Sequence, residues 1–229
     1  MAIRISLTGH LTLLLGLIVA AFVVMPFFTE VELAANVLRL AAEFLLVIVV
    51  WRLGGRRRLL TVVASIVVLN EVTQWLVALT PRPELVVLSG LCTLSFISAT
   101  TGFMAWTAWK QESVGAESLI GAIAVYFLIG YLWATVFSLI EFGSPGSFSS
   151  LCDPRPDGSL DCRPEIAQFP RLIYFSFVTM TTLGYGDVAP LTRATEGVAA
   201  MAAVSGQLFL AMVIGRLVGL YMAKRREDS

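Results

Sequence analysis

Residues 169–187 read FPRLIYFSFVTMTTLGYGD, and this stretch decides the architecture. Its first part, 169–182, is apolar and aromatic but too short to cross a hydrocarbon core, which takes about 20 residues of helix. A segment of that kind enters a membrane and turns back, and its irregular backbone is tolerated only where protein or water covers it. Pro170 suits the first turn of a short helix, where a missing N–H costs nothing. That helix is expected to stop at Thr181-Thr182-Leu183-Gly184-Tyr185-Gly186-Asp187. Glycine takes φ > 0 without steric cost, so Gly184 and Gly186 open backbone conformations there that other residues avoid.

Outward from this motif the chain is built for a membrane. Of its 229 residues 57% are hydrophobic and 14% charged, against about 25% charged in a soluble domain. The apolar residues fall in long blocks, and no part reads as a soluble domain. A net charge of zero gives nucleic-acid binding no support. Stretches of about 20 apolar residues occur at 11–28, 31–51, 59–79, 85–109, 119–142 and 194–222. The expected fold is therefore all-α, with six transmembrane helices and the re-entrant segment between the fifth and sixth. Arg52, Arg56, Arg57 and Arg58 follow the second span, Lys110 the fourth, and Lys224, Arg225 and Arg226 the sixth. The positive-inside rule makes those segments and both termini cytoplasmic, with the turn at 80–84 and the long segment 141–193 outside. Arg4 falls on the inner side. The first apolar run lacks a small-x-small cleavage site and reads as a span rather than a signal peptide. The expected organisation is a four-span membrane domain over 1–112, a pore domain over 113–222 and a short tail over 223–229.

The motif at 181–187, behind a short re-entrant segment and between two spans, resembles the signature of the tetrameric potassium channel family. In that family rings of backbone carbonyls replace the ion's water shell. The resemblance covers about 119–222. It implies that Thr182, Leu183, Gly184, Tyr185 and Gly186 form the selectivity filter. The carbonyls of Thr182, Leu183, Gly184 and Tyr185, with the Thr182 hydroxyl, would hold K+, and four identical chains are required. Thr181, Asp187, Tyr174, Phe175 and Val178 occupy supporting positions. Tyr174 and Phe175 stand where relatives often carry two tryptophans, and Tyr174 retains a donor for Asp187. Val178 replaces a buried glutamate of some relatives, and Leu183 the commoner valine or isoleucine.

The last span resembles the family's inner helix. Gly206 lies nineteen residues beyond Asp187, where the family's inner helix is typically hinged by glycine, and a mid-helix glycine weakens a helix by about 1 kcal/mol relative to alanine. Gln207, Leu210, Ile214, Val218 and Met222 fall on the family's pore-lining face. Gly215 and Gly219 form a GxxxG pair that reads as close helix packing, with a second hinge as the alternative, and Arg216 lies off the pore face.

The fourth span carries no arginine array of the kind a voltage sensor needs. Arg39 and Glu43, four apart, read as an ion pair, with a gating role as the alternative. Asn70, Glu71 and Gln74 form a polar patch in the third span that marks a site or satisfies its neighbours. Cys92 reads as a small hydrophobe. Cys152 and Cys162 bound a nine-residue outer loop, where an oxidising exterior favours a disulfide. Pairing within a subunit, pairing between subunits and free thiols all stay open from sequence alone.

No nucleophile or metal spacing accompanies the single histidine, His10, so neither enzymatic activity nor a cofactor is expected beyond potassium ions in the filter. The rivals are a potassium uptake transporter subunit and a weakly selective cation channel. The expected partners are K+, lipid and further copies of the chain, in a cell membrane of the prokaryotic inner-membrane kind. Between 141 and 196 there are seven acids (Glu141, Asp153, Asp157, Asp161, Glu165, Asp187, Glu196) and four bases, a ring of negative charge expected to concentrate cations at the mouth.

Overall fold

The computed structural model describes residues 48, 57–80, 82–110, 116–154, 160–162 and 165–227. The first two expected spans, with His10, Arg39 and Glu43, lie outside them, apart from Ile48 in helical conformation. Five helices carry the described chain: α1 Arg57–Leu79, α2 Pro83–Lys110, α3 Ala116–Gly143, α4 Glu165–Met180 and α5 Arg193–Glu227. Among the described residues three are long and apolar enough to cross a membrane, over Pro83–Trp106, Leu119–Gly143 and Arg193–Gly219. The all-helical expectation needs one addition. Between α3 and α4 two three-residue strands, β1 Cys152–Pro154 and β2 Leu160–Cys162, pair antiparallel, with Cys152 opposite Cys162.

The chain forms two compact units, one over Ile129–Ala211 and the other from the residues before and after it. In the second, α1 and α2 are joined by a tight turn in which the Arg82 N–H donates to the Thr80 carbonyl at 2.7 Å. Their apolar surfaces cannot supply a hydrophobic drive within lipid, so polar contacts between helices matter more. The Thr93 hydroxyl of α2 donates to Asn70 Oδ1 at 2.7 Å and accepts from Gln74 Nε2 at 3.2 Å. Asn70 is buried, so the expected polar patch finds a partner on the neighbouring helix.

The unit over Ile129–Ala211 is organised by α4, whose run of apolar and aromatic residues packs on α3 and on the first half of α5. Helix α4 begins at Glu165, earlier than expected, so Pro170 lies inside it rather than in its first turn. The proline takes from the Ile166 carbonyl its usual intrahelical donor. Phe137 of α3, Phe148 of the following loop and Phe175 of α4 meet with ring centroids 5.1–5.4 Å apart. Leu151, Leu172, Val188, Ala199 and Ala202 complete this buried core. Two small residues set how closely helices approach it. A Cβ on Gly130 of α3 would meet the Phe177 ring, and one on Gly206 of α5 would lie 2.7 Å from the Met180 carbonyl oxygen. Helix α5 starts with reciprocal capping, Thr195 N–H to Thr192 Oγ1 at 3.2 Å and Thr192 N–H to Thr195 Oγ1 at 3.1 Å. Such a pair satisfies two orphan donors at once.

Candidate functional site

The segment that follows α4 closes the end of that helix. The last carbonyls of a helix lack intrahelical partners. Here the N–H groups of Leu183 and Gly184 both reach the Val178 carbonyl, at 2.9 and 3.4 Å, and the Thr181 N–H reaches Phe177 O at 2.9 Å. Val178 therefore acts through its backbone. Thr181 adds its hydroxyl, donating to Phe177 O at 2.7 Å.

Past this cap the backbone alternates. Thr182, Gly184 and Gly186 have φ of 58°, 57° and 80°, whereas Leu183 and Tyr185 between them do not take positive values. The glycines adopt this at no steric cost, but Thr182 does not, and a non-glycine residue in that region carries a strain of about 1–3 kcal/mol. Its hydroxyl donates to the Thr181 carbonyl at 2.7 Å. Residues 181–186 are exposed in the single chain, with Leu183 54% and Tyr185 67% accessible.

Asp187, at the far end of the run, is tied back to α4. Tyr174 Oη donates to Asp187 Oδ1 at 3.0 Å, and the Tyr174 ring stacks on Tyr185 with planes 3° apart and centroids 6.5 Å apart. Desolvation first, then the bond to the Asp187 carboxylate, raises the Tyr174 phenol above its ordinary value. The O–H thus remains a donor at neutral pH and is lost only as pH rises through that raised value. Phe175 instead serves the aromatic core.

Two further ties reach α5, one from the end of α4 and one from α3. Gln207 Nε2 donates to the Met180 carbonyl at 3.1 Å, beside the close approach of Gly206 to the same group. Trp133 Nε1 donates to Ser205 Oγ at 2.8 Å. Leu210, Ile214, Val218 and Met222 are each more than a third exposed. A family model described as Ion channel matches residues 90–223, more than half of the chain. The chain belongs to this family of ion channels. With the three apolar helices, that makes it a membrane-embedded, multi-pass ion channel. A search among curated proteins gives no match.

One residue of the expected negative mouth has another task. Glu141 is 3% exposed, and its carboxylate accepts the Gly146 N–H at 2.7 Å through Oε1 and the Phe148 N–H at 3.1 Å through Oε2. It is a structural anchor rather than a solvated charge. Sequence reasoning also passed over residues 147–150 of this loop, which pair with the residues after Asp187. The only sequence signal was a carboxylate in the last turn of a span, followed by the turn formers Gly143, Pro145 and Gly146.

Proposed function

We propose that the chain is one subunit of a homotetrameric channel that conducts K+ passively and selectively, without a voltage-sensor arginine helix. The observation that carries this reading is the alternation of φ along Thr182, Gly184 and Gly186. Alternating conformations turn successive carbonyls toward one side of a strand, and four such strands around an axis provide rings of oxygens for a dehydrated ion. The exposed Leu183 and Tyr185 side chains support a further copy as their cover. The C-terminal end of α4 lies at the start of the filter, and the negative end of its dipole favours a cation there.

Membrane orientation follows the positive-inside reading, with Asp187 at the external end and both termini inside. Gln207, Leu210, Ile214, Val218 and Met222 line the inner pore, and Gly206 has a packing reason beside the hinge role. Residues directly opposite in an antiparallel pair have Cα atoms about 4.5–5.5 Å apart, within the range of a disulfide. The register of Cys152 on Cys162 therefore supports pairing within one subunit.

Purified protein in planar bilayers tests the proposal. Reversal potentials in mixed potassium and sodium are expected to follow potassium, and equal permeability of the two ions overturns it. Gly184→Ala and Gly186→Ala are expected to abolish current or selectivity, because alanine is strained at φ of 57° and 80°. Single-channel currents far above carrier turnover exclude a transporter.

A further inference from the structure

The hydrogen bonds of residues 147–150 lead to the segment directly after the filter. The Ser149 N–H donates to the Ala189 carbonyl at 2.9 Å, and the Ser149 hydroxyl accepts the Ala189 N–H at 2.8 Å. Ser150 Oγ donates to the Asp187 carbonyl at 2.8 Å. The Ser147 carbonyl accepts the Leu191 N–H at 2.8 Å and the Thr195 hydroxyl at 3.3 Å, and Phe148 pairs with Pro190 in a single β-bridge. Residues 187–191 are thus held through their main chain. Tyr174, by contrast, holds only the side chain of Asp187.

The loop that does the holding is itself fixed on three sides. The Glu141 carboxylate grips the N–H groups of Gly146 and Phe148, the Phe148 ring lies in the buried core, and Arg171 Nη1 donates to the Ser150 carbonyl at 3.3 Å. Ser150 also keeps φ at 64°, a conformation that costs a non-glycine residue and persists only where its surroundings over-determine it. Here the strained residue is the one whose hydroxyl reaches Asp187.

We infer that residues 147–150 are a strap that positions the external end of the filter, with the Ser149 and Ser150 hydroxyls as its positioning groups. The inference rests on the potassium-channel reading above. Filter carbonyls from four chains converge on one axis and repel one another when no ion lies between them. A hold on the main chain just beyond Gly186 resists their turning away, most of all when external ions are scarce.

Full-length protein in planar bilayers carries the test, with Ser149→Ala, Ser150→Gly and Ser144→Ala. Glycine adopts φ of 64° freely, so Ser150→Gly reports the lost hydroxyl rather than a misfolded turn. At low external potassium, steady current through S149A or S150G is expected to decay about tenfold faster than in wild type, equivalent to ~1.4 kcal/mol. A tenfold rise in external potassium should restore the wild-type rate, and S149T, which keeps the hydroxyl, should match wild type throughout. S144A should also match it, because Ser144 enters the turn through its carbonyl. Unchanged decay in both S149A and S150G overturns the strap. So does faster decay that external potassium does not relieve and that comes with a lower tetramer melting temperature, since that marks general destabilisation. Failure of the parent reading shows separately, as wild-type reversal potentials that do not follow potassium.

Discussion

Gly206 shows how one residue type answers two different demands. At the level of helix propensity it weakens α5 by about 1 kcal/mol relative to alanine, which is what a hinge needs. In the folded chain its missing side chain admits the Met180 carbonyl, which a Cβ would meet at 2.7 Å. Met180 directly precedes Thr181, so this contact sits at the base of the proposed filter. Gly206→Ala adds helix propensity but overpacks a backbone group, and overpacking costs about 1–3 kcal/mol. The steric loss should win. The expected result is a protein that melts lower by about 2–4 °C for each kcal/mol lost, read by thermal unfolding in detergent. A changed open probability with an unshifted melting temperature would instead make Gly206 a hinge and nothing more.

Among the elements, α2 bears on gating by what its sequence lacks. Its only basic residue is Lys110, at its last position, and its only acid is Glu84, in its first turn, so no arginine or lysine lies in the body of α2. Moving one elementary charge through 100 mV yields about 2.3 kcal/mol, and steep voltage dependence needs several. Of the polar groups that α2 carries, Thr93 reaches α1 through Asn70 and Gln74, whereas Ser95 and Thr100 donate to carbonyls of their own helix. Open probability is therefore expected to change little between about −100 and +100 mV. A conductance–voltage curve with several gating charges per subunit would contradict this and direct attention to Arg39, which lies outside the described residues.

At the scale of the whole molecule, the proposed channel would gather ions by the charge of the segment between residues 141 and 196. With Glu141 withdrawn as an anchor, six acids face four bases between residues 141 and 196, a net −2 per chain and −8 in the proposed tetramer. Asp153 and Asp161 are opposite one another in the β1–β2 register, and Asp157 falls in the connection between those strands, outside the described residues. Exposed charges act over about 30 Å at 0.01 M salt but only about 10 Å at 0.1 M. Inward single-channel conductance at ~10 mM potassium is thus expected to fall when Asp157 and Asp161 are both neutralised, with much less effect at high salt. Conductance unchanged at low salt by the double neutralisation removes the funnel.

The sequence by itself determined the membrane class, the limits of α2, α3 and α5 to within a few residues, and the positions at 184 and 186 that take φ > 0. These are local properties: apolar runs reach bilayer length without reference to anything else, and only glycine reaches the left-handed region freely. It also paired Tyr174 with Asp187, because the resemblance supplied the partner. Other features had no local signal. Thr182 takes φ of 58° against its own preference, Glu141 leaves solvent for two N–H groups, and Gly206 meets Met180 across 26 positions of sequence. Residues 147–150 read as a polar turn in the sequence, and they become a strap only because the core draws in Phe148 and brings the Ser149 and Ser150 hydroxyls to Ala189 and Asp187. Hydrogen bonds between residues 37 and 40 apart depend on how α3, α4 and α5 pack, and that packing was decided by the tertiary structure alone.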